Sequence, residues 1–195
     1  INLLSNPTSL YTKQPTVYYG LMYLAKNAKK EVKIHTPYII CNDYMYNELK
    51  NIKVPTTIMT NSAENNGNIF GAVDYLNHKK DIINTGVTIK EYEGGISYHG
   101  KSMTIDDDIA IVGSFNMDMR SAYIDTELML VINSKYINKQ LKASMEEYEK
   151  KAATVKNETE YSHIPEGMKM KELSDKKKNI KAWFGWAMNG LRFLF

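Results

Sequence analysis

The first half of the chain alternates between helical and strand-like hydrophobic patterns. Apolar residues recur at helical spacing from about residue 16 to residue 30, over residues 69–83, and over a shorter stretch at 43–51. Three strand-like runs accompany these helices: EVKIHTPYII, TTIMTNS and VTIKEYE. The pattern therefore predicts helices and strands in alternation.

The middle of the chain is richer in strands. KSMTID and IAIVGS are predicted to pair as a hairpin around Asp107 and Asp108, and DTELMLVINS is predicted to form a further strand. A long helix follows. Its predicted buried stripe consists of Ile137, Leu141, Met145, Tyr148 and Ala152. The patterns of the first half and of the middle of the chain together predict an α/β fold, a sandwich built on a mixed β-sheet flanked by helices.

The pattern weakens near residue 156, where we place a boundary. Residues 1–14 are predicted to be an extended lead-in, broken by Pro7 and followed by Pro15. Residues 157–175 are polar and lack apolar periodicity. We therefore expect one domain over residues 1–156, followed by a polar linker and an amphipathic C-terminal helix over residues 157–195.

The C-terminal segment KKKNIKAWFGWAMNGLRFLF has the pattern of an amphipathic helix. Its predicted apolar face carries Ile180, Trp183, Phe184, Ala187, Met188, Leu191 and Phe195. Its predicted polar face carries Lys181, Gly185, Asn189 and Arg192. Such a helix can lie in a membrane interface beside the lysines at 176–178, or it can dock on the domain or on a missing half. Docking is the stronger interpretation, because amphipathic stripes usually face a core.

Composition sets few further limits. Hydrophobic residues make up 43% and charged residues 24% of the 195 residues, as in globular proteins. No apolar run reaches the roughly 20 residues of a membrane-spanning helix. The net charge of +3 permits anionic partners without selecting one. Cys41 is the only cysteine, which excludes an internal disulfide. Because the chain begins with Ile1 and without a signal-peptide pattern, we expect an excised part of a longer protein or a processed product.

The stretch YHGKSMTIDDDIAIVGSFNMDMRS, residues 98–121, carries the candidate chemistry. On a strand, residues two apart share a face, so His99 and Lys101 are predicted to project together, as are Ser114 and Asn116. If the hairpin brings the pairs together, the ammonium, hydroxyl and amide groups suit phosphoryl oxygens. Only the imidazole can attack phosphorus or transfer a proton near neutral pH. Gly113 allows the backbone to approach a ligand closely.

The spacing of these residues resembles the signature of the phospholipase D superfamily. The pattern is His-x-Lys, four residues, Asp, six residues and Gly-Ser-x-Asn, and every position is filled, by His99, Lys101, Asp106, Gly113, Ser114 and Asn116. NMDMRS and the following Glu127 are similar to the downstream extension of that family. IHTPYI, TIMTNS and GVTIKEYEGG resemble elements in the second half of bacterial cardiolipin synthase-like members.

The resemblance implies a role for each matching residue. His99 would be the nucleophile, or its acid/base counterpart, in a two-step displacement through a phosphohistidine. Lys101 and Asn116 would hold the non-bridging phosphate oxygens, and Ser114 would support them as a donor. Glu127 would orient a histidine of the site.

Other positions near the motif are implied to be structural. Asp106 and Gly113 belong to the motif without a catalytic role, and Arg120 and Ser121 are expected to brace the loop. The resemblance implies no cofactor and no metal ion. The acidic run at 106–108 fits a hairpin tip, where aspartate is favoured for turn reasons.

Two positions depart from the family pattern. Gly100 stands where a slightly larger residue is common, and Asp125 stands where Asn is frequent.

The three histidines outside the motif are weaker candidates than His99. His35 can border the pocket of the candidate site, but a buried histidine at a strand end is the stronger interpretation. His78 and His163 are expected to have no role.

The chain carries one copy of a motif that the family uses in pairs. The second motif would come from a missing N-terminal half or from a homodimer partner. We expect the former, since the elements similar to cardiolipin synthase-like proteins match the second half of a two-motif chain.

The resemblance implies an enzyme that cleaves or transfers phosphodiesters. The first hypothesis is phosphatidyl transfer or hydrolysis on a phospholipid such as phosphatidylglycerol, by a bacterial protein that is cytoplasmic and peripheral at the inner face of the cell membrane. The second is a homodimeric phospholipase D-type nuclease, although no basic track with interleaved aromatics is visible. The third is a non-catalytic half domain that binds phosphate-bearing ligands.

Overall fold

The computed structural model describes residues 1–8, residues 14–184 and residue 192. The helices are α1 (Thr16–Lys26), α2 (Asp43–Lys50), α3 (Ile69–Ile83), α4 (Met119–Tyr123), α5 (Lys135–Glu149) and α6 (Asp175–Phe184). The strands are β1 (Asn2–Ser5), β2 (Val32–His35), β3 (Ile39–Ile40), β4 (Thr56–Asn61), β5 (Thr88–Tyr92), β6 (Ser102–Ile105), β7 (Ile109–Gly113), β8 (Met117–Asp118), β9 (Leu128–Asn133), β10 (Ala152–Val155) and β11 (Tyr161–His163).

The strands form a mixed sheet, as the alternation of patterns predicts. Within the described residues, nine strands lie in the order β1-β9-β7-β6-β2-β4-β5-β10-β11, and β3 pairs with β8 in a second, small sheet. In the large sheet, β2, β4 and β5 run parallel, while the remaining pairs are antiparallel. The parallel strands are joined by α2 and α3, which are the crossover helices that such pairs need. The α/β fold class is confirmed.

The two faces of this sheet differ in polarity. Ile34, Ile58 and Ile89 belong to the main hydrophobic core, which also includes the buried residues of α1 and α2. On the other face, α5 contacts β5, β6, β7, β9 and β10. Here Glu149 of α5 lies 3.2 Å from His35 Nε2 and 2.5 Å from Lys90 Nζ. One face is therefore apolar, and the other carries charged groups.

The polar face explains why the predicted stripe of α5 is partly wrong. Met145 is buried, but Tyr148 is 42% exposed, and Ala152 lies in β10 because the helix ends at Glu149. Asn138, which an apolar stripe would not include, is buried and donates a 2.6 Å hydrogen bond to the carbonyl of Ile109. A helix that packs on a partly charged face does not need a continuous apolar stripe.

Both ends of the domain hold more structure than the pattern predicts. Residues 2–5 are not only a lead-in, because β1 pairs with β9 at the edge of the sheet. The helix predicted to reach residue 30 ends at Lys26, where the side chain of Asn27 donates to the carbonyl of Tyr23. The segment predicted to be a linker contains β11, which pairs with β10. The boundary after residue 156 stays a prediction.

The C-terminal segment contacts the domain through two basic residues. Lys177 of α6 is 8% exposed, and Arg192 binds the carboxylate of Asp74 at 2.6 Å and the carbonyl of Cys41 at 2.8 Å. Trp183 is 82% exposed. Ala187, Met188, Leu191, Phe195, Gly185 and Asn189 of the predicted helix lie outside the described residues. The contacts of Lys177 and Arg192 favour docking over a free membrane-facing helix at these two positions.

Candidate functional site

The two halves of the motif meet where β2 ends. Ser102, the first residue of β6, pairs with His35 at the end of β2 and with Val112 near the end of β7. The backbone N–H of Gly113 donates to the carbonyl of Lys101 at 3.2 Å. The hairpin therefore brings the segment that carries Lys101 next to the segment that follows Gly113.

His99 and Lys101 lie in a loop, so their predicted placement on a strand is wrong. The strand begins only at Ser102, and the ammonium group of Lys101 folds back to donate to the carbonyl of His99 at 2.7 Å. At Gly100, between the two residues, a Cβ would lie 2.3 Å from the hydroxyl of Tyr98, so a larger residue here would require the Tyr98 side chain to shift.

The electrostatic setting of His99 favours a neutral imidazole. Partial burial lowers the pKa of His99 below its ordinary value, and the nearby Lys101 lowers it further. Burial also lowers the pKa of Lys101, while the negative charges of Glu127 and Asp118 act in the opposite direction. The site therefore presents an exposed imidazole with a free electron pair beside an ammonium group.

Ser114 is held by the start of β9. Its hydroxyl donates to the carboxylate of Glu127 and accepts the backbone N–H of Leu128 at 3.0 Å. Glu127 is 6% exposed, and its second oxygen accepts the hydroxyl of Ser121 at 2.6 Å. In the described part of the chain, Glu127 thus receives its hydrogen bonds from the two serines and not from His99.

Asn116 is fixed through Ser121. Its backbone N–H and its Nδ2 group donate to the Ser121 hydroxyl oxygen at 3.2 Å and 3.3 Å. Nδ2 carries a second hydrogen that can donate to a ligand. The Oδ1 atom of Asn116 is buried and has no hydrogen-bond partner. A chain of contacts from Asn116 through Ser121 to Glu127 therefore sets the orientation of the amide, and Ser121 braces the loop.

A buried carboxyl group from the NMDMRS extension lies beneath this loop. Asp118 is 2% exposed and caps the N-terminus of α4, where it accepts the backbone N–H of Ser121 at 2.5 Å. Burial raises its pKa to about 6. Its position before a short helix is the sequence signal that could have indicated a cap. Arg120 of the same helix pairs with Asp125, the residue that departs from the family pattern, at 3.0 Å.

Asp106 lies at the opposite end of β6 from His99. It has a positive φ of 50° at the hairpin tip, and its carboxylate accepts the backbone N–H groups of Lys29, Lys30 and Glu31. Burial alone would raise the pKa of Asp106, but these donors together hold it below its ordinary value. Asp106 therefore joins the turn before β2 to the hairpin and has no contact with the imidazole of His99.

The other histidines have partners of their own. His35 is 1% exposed and shares a hydrogen bond of 3.2 Å with Glu149, while its Nδ1 atom has no partner. The interpretation of His35 as a buried strand-end histidine is confirmed. His78 contacts its own helix through the carbonyl of Asp74, and His163 lies exposed on β11.

Two clefts open beside His99, and sequence reasoning missed both. We call the first the aromatic cleft, after the rings of Tyr92, Tyr98 and Tyr148 that line it. We call the second the polar cleft, after Tyr38, Asn66, Asn68 and Ser97. These side chains come from segments far apart in the chain, so no local pattern could group them. Across residues 1–8, 14–184 and 192, no cluster of three or more His, Cys, Asp or Glu side chains could hold a metal ion.

Comparison with known proteins identifies a family for this arrangement. A family model described as "Cardiolipin synthase, PLD-like domain" matches residues 21–148. The chain is also 30% identical over 159 residues to cardiolipin synthase 1 of Staphylococcus epidermidis, a match that covers 80% of this chain. The chain spans 32% of the length of that relative. No helix among the described residues is long and apolar enough to cross a membrane.

Solved structures share the fold at low sequence identity. Phosphatidylserine synthase of Haemophilus influenzae superposes with a TM-score of 0.72 at 15% identity, over 100% of this chain and 47% of the other. The phospholipase D family member Nuc of Salmonella typhimurium superposes with a TM-score of 0.62 at 14% identity, over 79% of this chain and 96% of the other. With residues 21–148 matched by the family model, the chain belongs to the phospholipase D superfamily, in the family of PLD-like domains of cardiolipin synthases.

Proposed function

We propose that this domain supplies one half of an active site that transfers phosphatidyl groups between alcohols. The proposal rests on the exposed imidazole of His99, whose pKa is lowered, next to the cationic Lys101, and on the braced amide of Asn116 in the adjoining segment that follows Gly113. Neutral imidazole is a competent nucleophile, and the two donors suit the non-bridging oxygens of a phosphodiester.

The first step follows from these positions. A ring nitrogen of His99 attacks phosphorus, the P–N bond forms, and the P–O bond to the leaving alcohol breaks. Lys101 and Asn116 stabilise the charge on the non-bridging oxygens, while Ser121 and Glu127 keep the amide in place. The departing alkoxide takes a proton from an acid supplied by the second motif.

The second step regenerates the imidazole. The second motif, now a base, removes a proton from an incoming alcohol, whose oxygen attacks phosphorus as the P–N bond breaks. An alcohol acceptor gives transfer, and water gives hydrolysis. No described residue of this chain besides His99 combines exposure at this site with an imidazole, so the proton donor comes from a preceding half or from a second copy.

Similarity supports a phospholipid substrate. The first relatives are cardiolipin synthases, and a phosphatidylserine synthase shares the fold over the whole chain. We therefore propose a phosphatidylglycerol-like donor, met at the inner face of the cell membrane by a peripheral protein. The fraction of the relative that this chain covers, 32%, fits a preceding half as the source of the second motif.

The experiment uses the full-length protein and labelled phosphatidylglycerol in mixed micelles. We expect release of glycerol with formation of cardiolipin or phosphatidic acid, and a loss of about a thousandfold or more in His99→Ala. His163→Ala is the matched control, because His163 is an exposed histidine on β11. Unchanged turnover in His99→Ala, or no turnover by the wild-type protein, would overturn the proposal.

A further inference from the structure

Strand β9 is apolar on both of its faces. Met129 and Val131 belong to the main hydrophobic core, and Leu128, Leu130 and Ile132 alternate with them in the sequence LMLVIN. A continuous apolar run of this kind is typical of a strand that is covered on both faces, whereas a half-solvated strand of an antiparallel sheet places polar residues outward. The outward side of β9 is therefore suited to packing against another element.

The outward residues of β9 continue across the neighbouring strands as one apolar surface. Leu130 is paired with Leu3 of β1 on one side and with Val112 of β7 on the other, and Leu128 lies two residues away on the same face. We call Leu3, Val112, Leu128 and Leu130 the apolar patch. Leu3 is 62%, Leu128 is 48% and Val112 is 37% exposed, so the patch is open within the described part of the chain.

Helix α5 covers the same face of the sheet but leaves the apolar patch open. Ala110, two residues before Val112 on β7, is 1% exposed, and Thr104 opposite it is fully buried. The helix runs from Asn138, which is bonded to β7, to Glu149, which is bonded to the end of β2. It therefore crosses the sheet in the direction away from β1, and the corner formed by β1, β9 and the end of β7 stays uncovered.

Away from this corner, the face is polar. Lys33 and Lys90 lie on it and pair with Glu149 of α5 at 3.8 Å and 2.5 Å. The apolar patch is thus an exception on its own face of the sheet. Contiguous exposed apolar surface on a soluble protein marks an interaction site.

The apolar patch directly borders the candidate active site. The backbone N–H of Ser114 donates to the carbonyl of Leu128 at 2.9 Å, and the Ser114 hydroxyl oxygen accepts the N–H of Leu128 at 3.0 Å. Val112 is paired with Ser102, the residue after Lys101. A body that covers the patch therefore lies beside residues of the motif.

We propose that the apolar patch is the surface on which the preceding half of the full-length protein docks. This assignment rests on the proposed function, in which a second motif supplies the proton donor. The chain spans 32% of the length of its cardiolipin synthase relative, so that relative contains further chain from which such a half can form. A half seated on Leu3, Val112 and Leu128 brings its own motif to the edge of this site.

The composition of the patch favours a protein partner over a lipid surface. All four members are aliphatic, and none is the lysine, arginine, tryptophan or tyrosine that is typical of contact with anionic lipid. They lie on the face of a sheet, and the cores of interfaces between protein units are apolar in the same way.

Footprinting of the unmodified full-length protein tests whether the patch is covered. The protein is labelled with a photoactivated carbene probe, without substrate or lipid, and the modification of each side chain is measured by mass spectrometry. We expect Leu3 and Leu128 to be labelled about fivefold less than Ile164, which is 43% exposed and follows β11 at the opposite edge of the sheet. Equally strong labelling at all three residues would overturn the assignment.

A photo-crosslinker identifies the body that covers the patch. Leu3 is replaced with p-benzoylphenylalanine in the full-length protein, and Ile164 is replaced in the matched control. We expect a crosslink within one molecule, from the replaced Leu3 to a peptide of the preceding half, and none to that half from the control. A crosslink between two copies of the protein, or one formed only to added phosphatidylglycerol vesicles, would overturn the assignment.

Turnover separates this assignment from the proposed function. Leu3→Asp places a charge on the docking surface, and we expect it to lower phosphatidylglycerol turnover by about tenfold or more, while Ile164→Asp leaves turnover unchanged. Full turnover in Leu3→Asp would contradict docking at the patch. If the patch were protected and crosslinked as expected while the wild-type protein turned over no phosphatidylglycerol, the proposed function would fail and the docking surface would stand.

Discussion

The hydroxyl of Ser121 donates a 2.6 Å hydrogen bond to the carboxylate of Glu127, and both residues are buried. The same hydroxyl oxygen accepts two hydrogen bonds from Asn116. One serine therefore links a buried charge to the amide proposed to hold the phosphate. Ser121 lies in the NMDMRS extension, downstream of the six spaced positions of the motif.

Ser121→Ala tests the importance of this link. Removing the hydroxyl leaves Glu127 and the two donors of Asn116 short of a partner, so we expect the free energy of unfolding to fall by about 1–3 kcal/mol. The amide also loses its orientation, and we expect kcat/KM to fall about ten- to hundredfold. Urea denaturation and turnover of phosphatidylglycerol measure the two effects. Ser162→Ala, on exposed β11, is the control, and equal behaviour of the two variants would contradict the role of Ser121.

The pH dependence of activity should report a lowered pKa of His99. Only the neutral imidazole attacks, so activity is present above this pKa and is lost as the pH falls through it. Partial burial and then Lys101 place that pKa below the ordinary 6.5. We expect an NMR titration of the His99 ring to have its midpoint below 6.5, and to move upward in Lys101→Met but not in the exposed control Lys156→Met. A midpoint above 6.5 in the wild type would contradict the electrostatic account.

Glu149 should make the domain sensitive to acid. Burial alone would raise its pKa, but hydrogen bonds from His35 and Lys90 and the charge of Lys33 lower it from 4.5 to about 2. A depressed carboxyl pKa stabilises the fold above the unfolded value of 4.5, and this stability is lost as the pH falls towards 2. The shift corresponds to at most about 3 kcal/mol. Urea titrations at several pH values should show a shallower acidic loss in Glu149→Gln, and the same slope as the wild type would contradict the assignment.

Lys177 should hold the loop beside the polar cleft. Its ammonium group donates to the carbonyls of Ala63, Glu64 and Asn66 at 2.8, 2.6 and 3.0 Å. We expect Lys177→Met to lower the free energy of unfolding by about 1.5–3 kcal/mol and to speed hydrogen exchange in residues 61–68. Lys176→Met, one residue earlier on the exposed side of α6, is the control. Equal exchange in both variants would show that the loop does not depend on this contact.

The order of elements could be predicted because each has a local signal. The β6–β7 hairpin follows from two apolar runs around residues 106–108, and α3 follows from its helical spacing. Strand β11 has no such signal. Tyr161 is held there by partners distant in sequence, since its hydroxyl donates to Glu91 and its ring lies 5.4 Å from Lys79 Nζ. Contacts of this kind exist only once the sheet has formed.

The residues of the site also differ in whether the local sequence could predict them. His99, Lys101, Ser114 and Asn116 could be proposed because they are close in the chain and regularly spaced. The burial of Asp118 exists only in the fold, and the aromatic cleft combines Tyr92 and Tyr98 with Tyr148 of α5. Spacing along the chain indicates chemistry, whereas the surfaces that select a substrate depend on the tertiary fold.

Trapping the covalent intermediate tests directly whether His99 is the nucleophile. The full-length protein is mixed with phosphatidylglycerol labelled at phosphorus, quenched under alkaline conditions that preserve phosphohistidine, and digested for mass spectrometry. We predict a phosphatidyl group, or the phosphate left after deacylation, on His99, and no label on His35, His78 or His163. Label on a different histidine, with His99 unmodified at every time point, would contradict it.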